Sequence, residues 1–185
     1  MNKYMLIIAL AVTTFITTGF TKEINTKKAH FAGGCFWGVE HLFEKQKGVK
    51  DVISGFMGGH VKNPSYKDVI KGDTGHVETV EVIYNPDEIS YEDLTKLFFE
   101  IHDPSQKNGQ GPDIGSQYLS VVFYENEEEK KTAQKLIEIL KTKGYFVATT
   151  LKENAPFYEA EAFHQNYYER TGKTPYCHVY KKIFD

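Results

Sequence analysis

The chain is poor in the residues that build metal frameworks and cross-linked scaffolds. Its 185 residues include only two cysteines, Cys35 and Cys177. Two thiols exclude a zinc ribbon of four thiolates and a disulfide-dense fold. They leave a structural disulfide, a redox pair or two unrelated thiols. Tryptophan occurs once, as Trp37, beside 13 Phe and 12 Tyr. No charge of one sign dominates, because the formal net charge is -3. Without a basic excess there is no electrostatic footprint for nucleic acid. The hydrophobic share of 41% and charged share of 25% argue for a globular fold rather than disorder. The length suits one domain plus a leader and is enough to bury a core.

The one long uncharged stretch comes first, from Tyr4 to Phe20 behind Lys3. A positive n-region followed by an apolar run has the shape of a secretory signal. Residues 1–21 are therefore expected to be a signal peptide, or an anchor if uncleaved, and 22–185 the functional domain. The expected location is the periplasm or the exterior, where thiols meet an oxidising compartment.

After the leader, strands and helices alternate. Strands are expected at Lys27 to Ala32, Val49 to Met57, His76 to Tyr84 and Tyr118 to Tyr124. Helices are expected from Cys35 to about Lys45, after the cap Ser90, and after the cap Asn126. Asn63 to Lys71 reads as loop with one helical turn, and Asp103 to Ser116 as a long loop of the kind that carries function. The tail reads as a short strand, a helix from about Tyr158 to Arg170, and an extended end. Strand–helix–strand twice over predicts a single α/β (α+β) domain, a ferredoxin-like split βαβ arrangement with helical and C-terminal extensions. The chain is expected to act as a monomer.

Cys35 follows Gly33-Gly34 and opens a helix. The free N–H groups and dipole at such an end favour a thiolate. Phe36 and Trp37 come next, and adjacent helical positions diverge by about 100°, so one face cannot bury both. Glu78 alternates with Val80, Val82 and Tyr84, and a carboxyl on an apolar face holds its proton at neutral pH. Glu81 lies on the opposite face of the same strand, and the pattern alone does not choose between the two. Tyr66, Asp113 and Tyr118 lie in or beside loops and are unremarkable singly. His164 reads as an ordinary helix histidine. The two cysteines and their neighbouring histidines lack zinc-ligand spacing, so no metal is expected.

Gly34-Cys35-Phe36-Trp37-Gly38-Val39-Glu40 resembles the signature of the peptide-methionine (S)-S-oxide reductases, the A class of methionine sulfoxide reductases. Other blocks agree in order: Gly58-Gly59 with Asn63-Pro64-Ser65-Tyr66, Gly72 to Glu78, His102 to Gln106, Gln110 to Tyr118, and His164 to Tyr167. The resemblance implies that Cys35 attacks the sulfoxide sulfur of free or protein-bound methionine S-sulfoxide. It implies an apolar wall of Phe36 and Trp37, a proton donor in Glu78, and a polar side made by Tyr66, Tyr118 and Asp113. It implies no bound cofactor and a thioredoxin-like external dithiol as reductant. Family members often keep a resolving cysteine in a glycine-rich tail. Here Cys177 is followed by His178 to Lys182, which reads as a strand, and Thr171 to Pro175 is the expected hinge that brings Cys177 to Cys35.

Two other readings stay open at this level. A cysteine hydrolase would pair Cys35 with His164. A non-enzymatic secreted module would join Cys35 to Cys177 as a structural disulfide.

Overall fold

Period-two alternation in β1 (Lys27–Gly33) turns Ala29 and Phe31 to one side and His30 and Ala32 to the other. A left-handed Gly34 at φ 98° then reverses the chain into α1 (Phe36–Phe43). The computed structural model describes residues 25–185, and the expected leader lies outside them. The chain continues through β2 (Val49–Met57), α2 (Tyr66–Val69), β3 (Val77–Tyr84) and α3 (Tyr91–Ile101). The long loop holds a small hairpin, β4 (Gly109–Gln110) with β5 (Asp113–Ile114), and a 3-10 turn at Ser116–Tyr118. Then come β6 (Ser120–Tyr124), α4 (Glu127–Thr142), β7 (Thr150–Glu153), β8 (Tyr158–Glu159) and α5 (Tyr167–Thr171).

The six-stranded sheet runs β7-β6-β1-β3-β2-β8. Within it β6, β1, β3 and β2 pair antiparallel. Strand β3 lies between β1 and β2, the two strands joined by α1, and β1 lies between β3 and β6, the two joined across α3. That is the expected split βαβ order. The caps do what their residue types predict. Ser90 accepts from Asp93 N at 3.0 Å, and Asn126 accepts from Glu128 N and Glu129 N at 3.0 Å each.

The helices cover one face of the sheet. Phe31 from β1 stacks at 5.3 Å on Phe43 of α1 and at 5.1 Å on Phe98 of α3. All three rings are fully buried, and each contributes about 1.5–3 kcal/mol by leaving water. This packing fixes the N-terminus of α1 over the sheet, beside the start of β3.

The expected helix from Tyr158 to Arg170 is largely absent. Residues 158–159 form β8 against β2, and only α5 is helical. The side chain of Gln165 explains the difference. It accepts from Ser54 N at 2.8 Å and donates to Ser54 O and Ala160 O at 2.9 Å each. It continues the pairing of β2 where a strand would otherwise run. Asn166 at φ 53° then interrupts any helix upstream of α5. The expected strand after Cys177 is also missing. The end is irregular, and Glu100 holds it by accepting from Ile183 N at 2.7 Å and Phe184 N at 2.8 Å.

Candidate active site

Cys35 caps α1 and is buried. A Cβ at Gly34 would sit 2.4 Å from the Gln110 side chain. Position 34 therefore needs glycine for both space and its positive φ. Gln110 in turn closes the long loop, accepting from Asp103 N at 3.1 Å and donating to Asp103 O at 3.2 Å. The loop is thus locked against the thiol, and it carries Asp113.

Glu78 enters from β3. It is buried, and the one hydrogen bond of its carboxyl among the described residues is from Phe36 N to Oε2, at 3.0 Å. Burial raises its pKa well above the ordinary carboxyl value, and the neighbouring Cys35 and Asp113 push the same way. The Phe36 N–H pulls back only in part. Glu78 is a neutral acid at the end of α1.

Tyr66 starts α2, held by the capping box of Ser65 and Asp68 and by Glu161, which accepts from Tyr66 N at 3.1 Å. Tyr118 ends the 3-10 turn. Burial raises the pKa of both phenols, and the carboxyl of Glu78 adds to it, so both keep their protons. The two hydroxyls are close enough to interact, and both feel Asp113 and Cys35. Five of the residues singled out by sequence therefore converge on one spot.

Phe36 is buried against Phe56 at 5.8 Å and Tyr66 at 6.4 Å between ring centroids, whereas Trp37 stays half-buried. Trp37 stacks on Tyr167 at 3.7 Å and 7°, and its Nε1 donates to His164 Nδ1 at 3.1 Å. One ring is core and the other lines the mouth, as their divergence predicts. Sequence reasoning gave His164 no part in the wall. Its bond to Trp37 leaves it buried with Nε2 unpaired. The block His164-Gln165-Asn166-Tyr167 was the signal, since it also supplies the stacking Tyr167.

Cys177 lies beside Cys35. The two sulfurs and a carboxylate oxygen of Asp113 are all within 4.8 Å of one another, and the thiols are unbonded. This is the one cluster of three or more potential metal-donor atoms among the described residues. Two thiols this close have redox chemistry of their own, and we assign the cluster to that. No swing of Thr171 to Pro175 is needed for the approach. Tyr176 donates to Asp113 at 3.2 Å and His178 is bonded to Gly33 O, so Cys177 is held from both sides.

The expected low-pKa thiolate is not what this arrangement makes. The Cys177 sulfur and then burial push the Cys35 thiol up, and the Asp113 carboxyl adds to them. The Trp37 N–H of the helix end opposes them and is outweighed. Cys35 rests as a thiol because the tail and the loop crowd it with electron-rich groups. The hydrolase pairing is also missing: among the described residues no hydrogen bond joins Cys35 to His164, whose Nδ1 accepts from Trp37.

This sheet order, with a buried thiol and a neutral carboxylic acid facing two tyrosines, defines a thiol oxidoreductase. The family model described as Peptide methionine sulfoxide reductase matches residues 27–184. The chain belongs to that family, whose enzymes reduce methionine sulfoxide. It is 48% identical over 150 residues to the peptide methionine sulfoxide reductase MsrA of Nautilia profundicola, covering 81% of this chain and 87% of that protein. It is 44% identical over 158 residues to the MsrA of Natronomonas pharaonis, covering 84% and 89%. The structure matches reduced Mxr1 of Saccharomyces cerevisiae at 35% identity and a TM-score of 0.78, over 84% of this chain and 92% of that one. It shares the fold of Mxr1 in complex with Trx2 at 24% identity and a TM-score of 0.57, over 88% and 96%.

Proposed function

We propose that this chain reduces methionine S-sulfoxide, free or in proteins, through a sulfenic acid on Cys35. The methyl group sits on the wall of Phe36 and Trp37. The sulfoxide oxygen faces Tyr66, Tyr118 and Glu78. Cys35 attacks sulfur, a sulfur–sulfur bond forms transiently, and as it breaks the oxygen passes from the methionine sulfur to the Cys35 sulfur and methionine leaves. A sulfoxide oxygen is displaced only when protonated, so Glu78 gives its proton to oxygen and recovers one from the Cys35 thiol. The proton count closes without solvent: a thiol and a sulfoxide become a sulfenic acid and a thioether. The observation that carries this reading is the buried Glu78, which accepts from Phe36 N at 3.0 Å beside the nucleophile and whose pKa burial raises.

Cys177 then captures the sulfenic acid as a disulfide, and water leaves. An external dithiol of the thioredoxin type reopens it, a role supported by the complex of the yeast relative with Trx2. We place the enzyme outside the cytoplasm, on the apolar leader before residue 22, and read it as a monomer. Its reductant is then an extracytoplasmic protein.

The test is turnover of each sulfoxide epimer with dithiothreitol by the parent enzyme and Cys35→Ser. The parent should consume the S epimer alone, and Cys35→Ser should lose all turnover with the fold intact, because a hydroxyl there is a poor nucleophile. Sulfoxide reduction surviving in Cys35→Ser removes the mechanism.

A further inference from the structure

His178 has no part in the scheme above, yet it is buried and touches both halves of the thiol pair's scaffold. Its Nε2 lies 2.8 Å from Gly33 O, and its Nδ1 lies 2.9 Å from Cys177 Sγ. A carbonyl oxygen only accepts, so Nε2 carries the ring hydrogen. In the neutral ring Nδ1 is then bare and accepts from the Cys177 S–H.

The ring cannot easily turn away. A Cβ at Gly38 would lie 2.3 Å from His178 Nδ1, so the imidazole fills the space that glycine leaves on α1. Gly33 is two residues before Cys35. The base is therefore pinned to the same stretch of backbone that carries the nucleophile.

We propose that His178 is the base that takes the proton from Cys177 as this thiol attacks the sulfenic acid on Cys35. The proposal rests on the reading of Cys177 as the resolving thiol. In the step, the Cys177–Cys35 sulfur–sulfur bond forms and the sulfur–oxygen bond of Cys35 breaks. Cys177 sulfur is oxidised and Cys35 sulfur is reduced by the same electron pair. The hydroxyl leaves as water, and the proton it gains balances the one that Cys177 loses through Nδ1.

A base is needed because a free thiol is only a few per cent ionised at neutral pH. Burial lowers the pKa of His178 and keeps the ring neutral and ready to accept. The titratable groups around the pair are Cys35, Asp113, His102, Tyr168 and Tyr176. His102 is pushed down to about 4 by burial, and its nitrogens face Phe98 O and Ser120 Oγ. Asp113 is within 4.8 Å of Cys177 Sγ, but the Tyr176 hydroxyl already donates to both its oxygens. His178 is the group in hydrogen-bond contact with the resolving sulfur.

The test uses one equivalent of methionine sulfoxide without reductant, following methionine release and Cys35–Cys177 disulfide formation separately. His178→Gln keeps an amide donor for Gly33 O but has no base. Methionine release should keep its rate and full amplitude, which also reports an intact fold. Disulfide formation should slow roughly 10²-fold at neutral pH, the scale of general base catalysis. The deficit should shrink as pH rises, because hydroxide then removes the thiol proton that residue 178 no longer takes. A normal disulfide rate, or a deficit that stays constant with pH, overturns the role of His178. If the parent enzyme itself turns over with a thioredoxin and never forms the Cys35–Cys177 disulfide, the resolving role of Cys177 fails instead.

Discussion

Strand β3 buries two carboxylates on opposite faces of one sheet. Glu78 faces the helices and meets a single backbone N–H. Glu81 faces away, and both its oxygens meet cationic or protonatable groups: Lys28 Nζ at 2.8 Å and His30 Nε2 at 3.0 Å. His30 stands directly across from Glu81 in the β1–β3 register. Burial is similar, at 2% exposure for Glu78 and 7% for Glu81. The difference is the partner: Glu81 has the Lys28 ammonium and the His30 ring against its oxygens, whereas Glu78 has one backbone dipole and burial raises its pKa.

The strongest test of this contrast is kinetic. Glu78→Gln should slow methionine release in a single turnover by roughly 10²–10⁴-fold, and Glu81→Gln should leave it almost unchanged. Equal effects would erase the distinction. The same contrast predicts a pH limb. Release should fall as pH rises through the elevated pKa of Glu78, because the deprotonated form has no proton to give. Glu81→Gln should keep that limb and Glu78→Gln should lose it, as pre-steady-state rates across pH would show.

A third buried carboxylate sharpens the comparison. Glu40 has Oε1 unpaired, and burial pushes its pKa up to about 7 against the pull of the Asn166 N–H. The raised value has a definite sign in stability. Its contribution is complete below the unfolded value near 4.5 and is lost as pH rises to about 7. Glu40→Gln should remove that loss, a difference of up to about 3 kcal/mol between urea unfolding at the two ends of the window. The smallest effect should come from Glu81→Gln, about 1 kcal/mol of destabilisation, since Lys28 is largely in water and the pair is screened. A stability gain in Glu81→Gln would mean that Lys28 and the His30 hydrogen bond do not compensate its burial.

The main strands and helices were legible because each carries a full period of apolar residues, and α3 and α4 also carry caps in Ser90 and Asn126. The pocket residues were legible through the motif blocks rather than singly. Tyr66 and Asp113 look like any loop residue until Glu161 and Tyr176 are seen holding them. The resemblance singled out Glu78 over Glu81, and the β1–β3 register supplies a physical reason, because it places Lys28 and His30 on the Glu81 face only. The false helix before α5 arose because a side chain, Gln165, takes over a backbone's pairing, and periodicity does not record that. The thiolate expected at Cys35 failed for a similar reason. The helix end was visible in sequence, and the sulfur of a residue 142 positions later was not.

Trp37 is the chain's only indole, and it is clamped between the Tyr167 ring and the His164 nitrogen at the rim of the pocket. All tryptophan emission from this protein therefore originates at the wall proposed for the substrate. A bound methyl group, a proton gained by His164 or a shift of α5 each alters the same fluorophore. The enzyme carries an optical gauge of its own binding site, readable in the unlabelled protein and on the time scale of a stopped-flow mixing experiment.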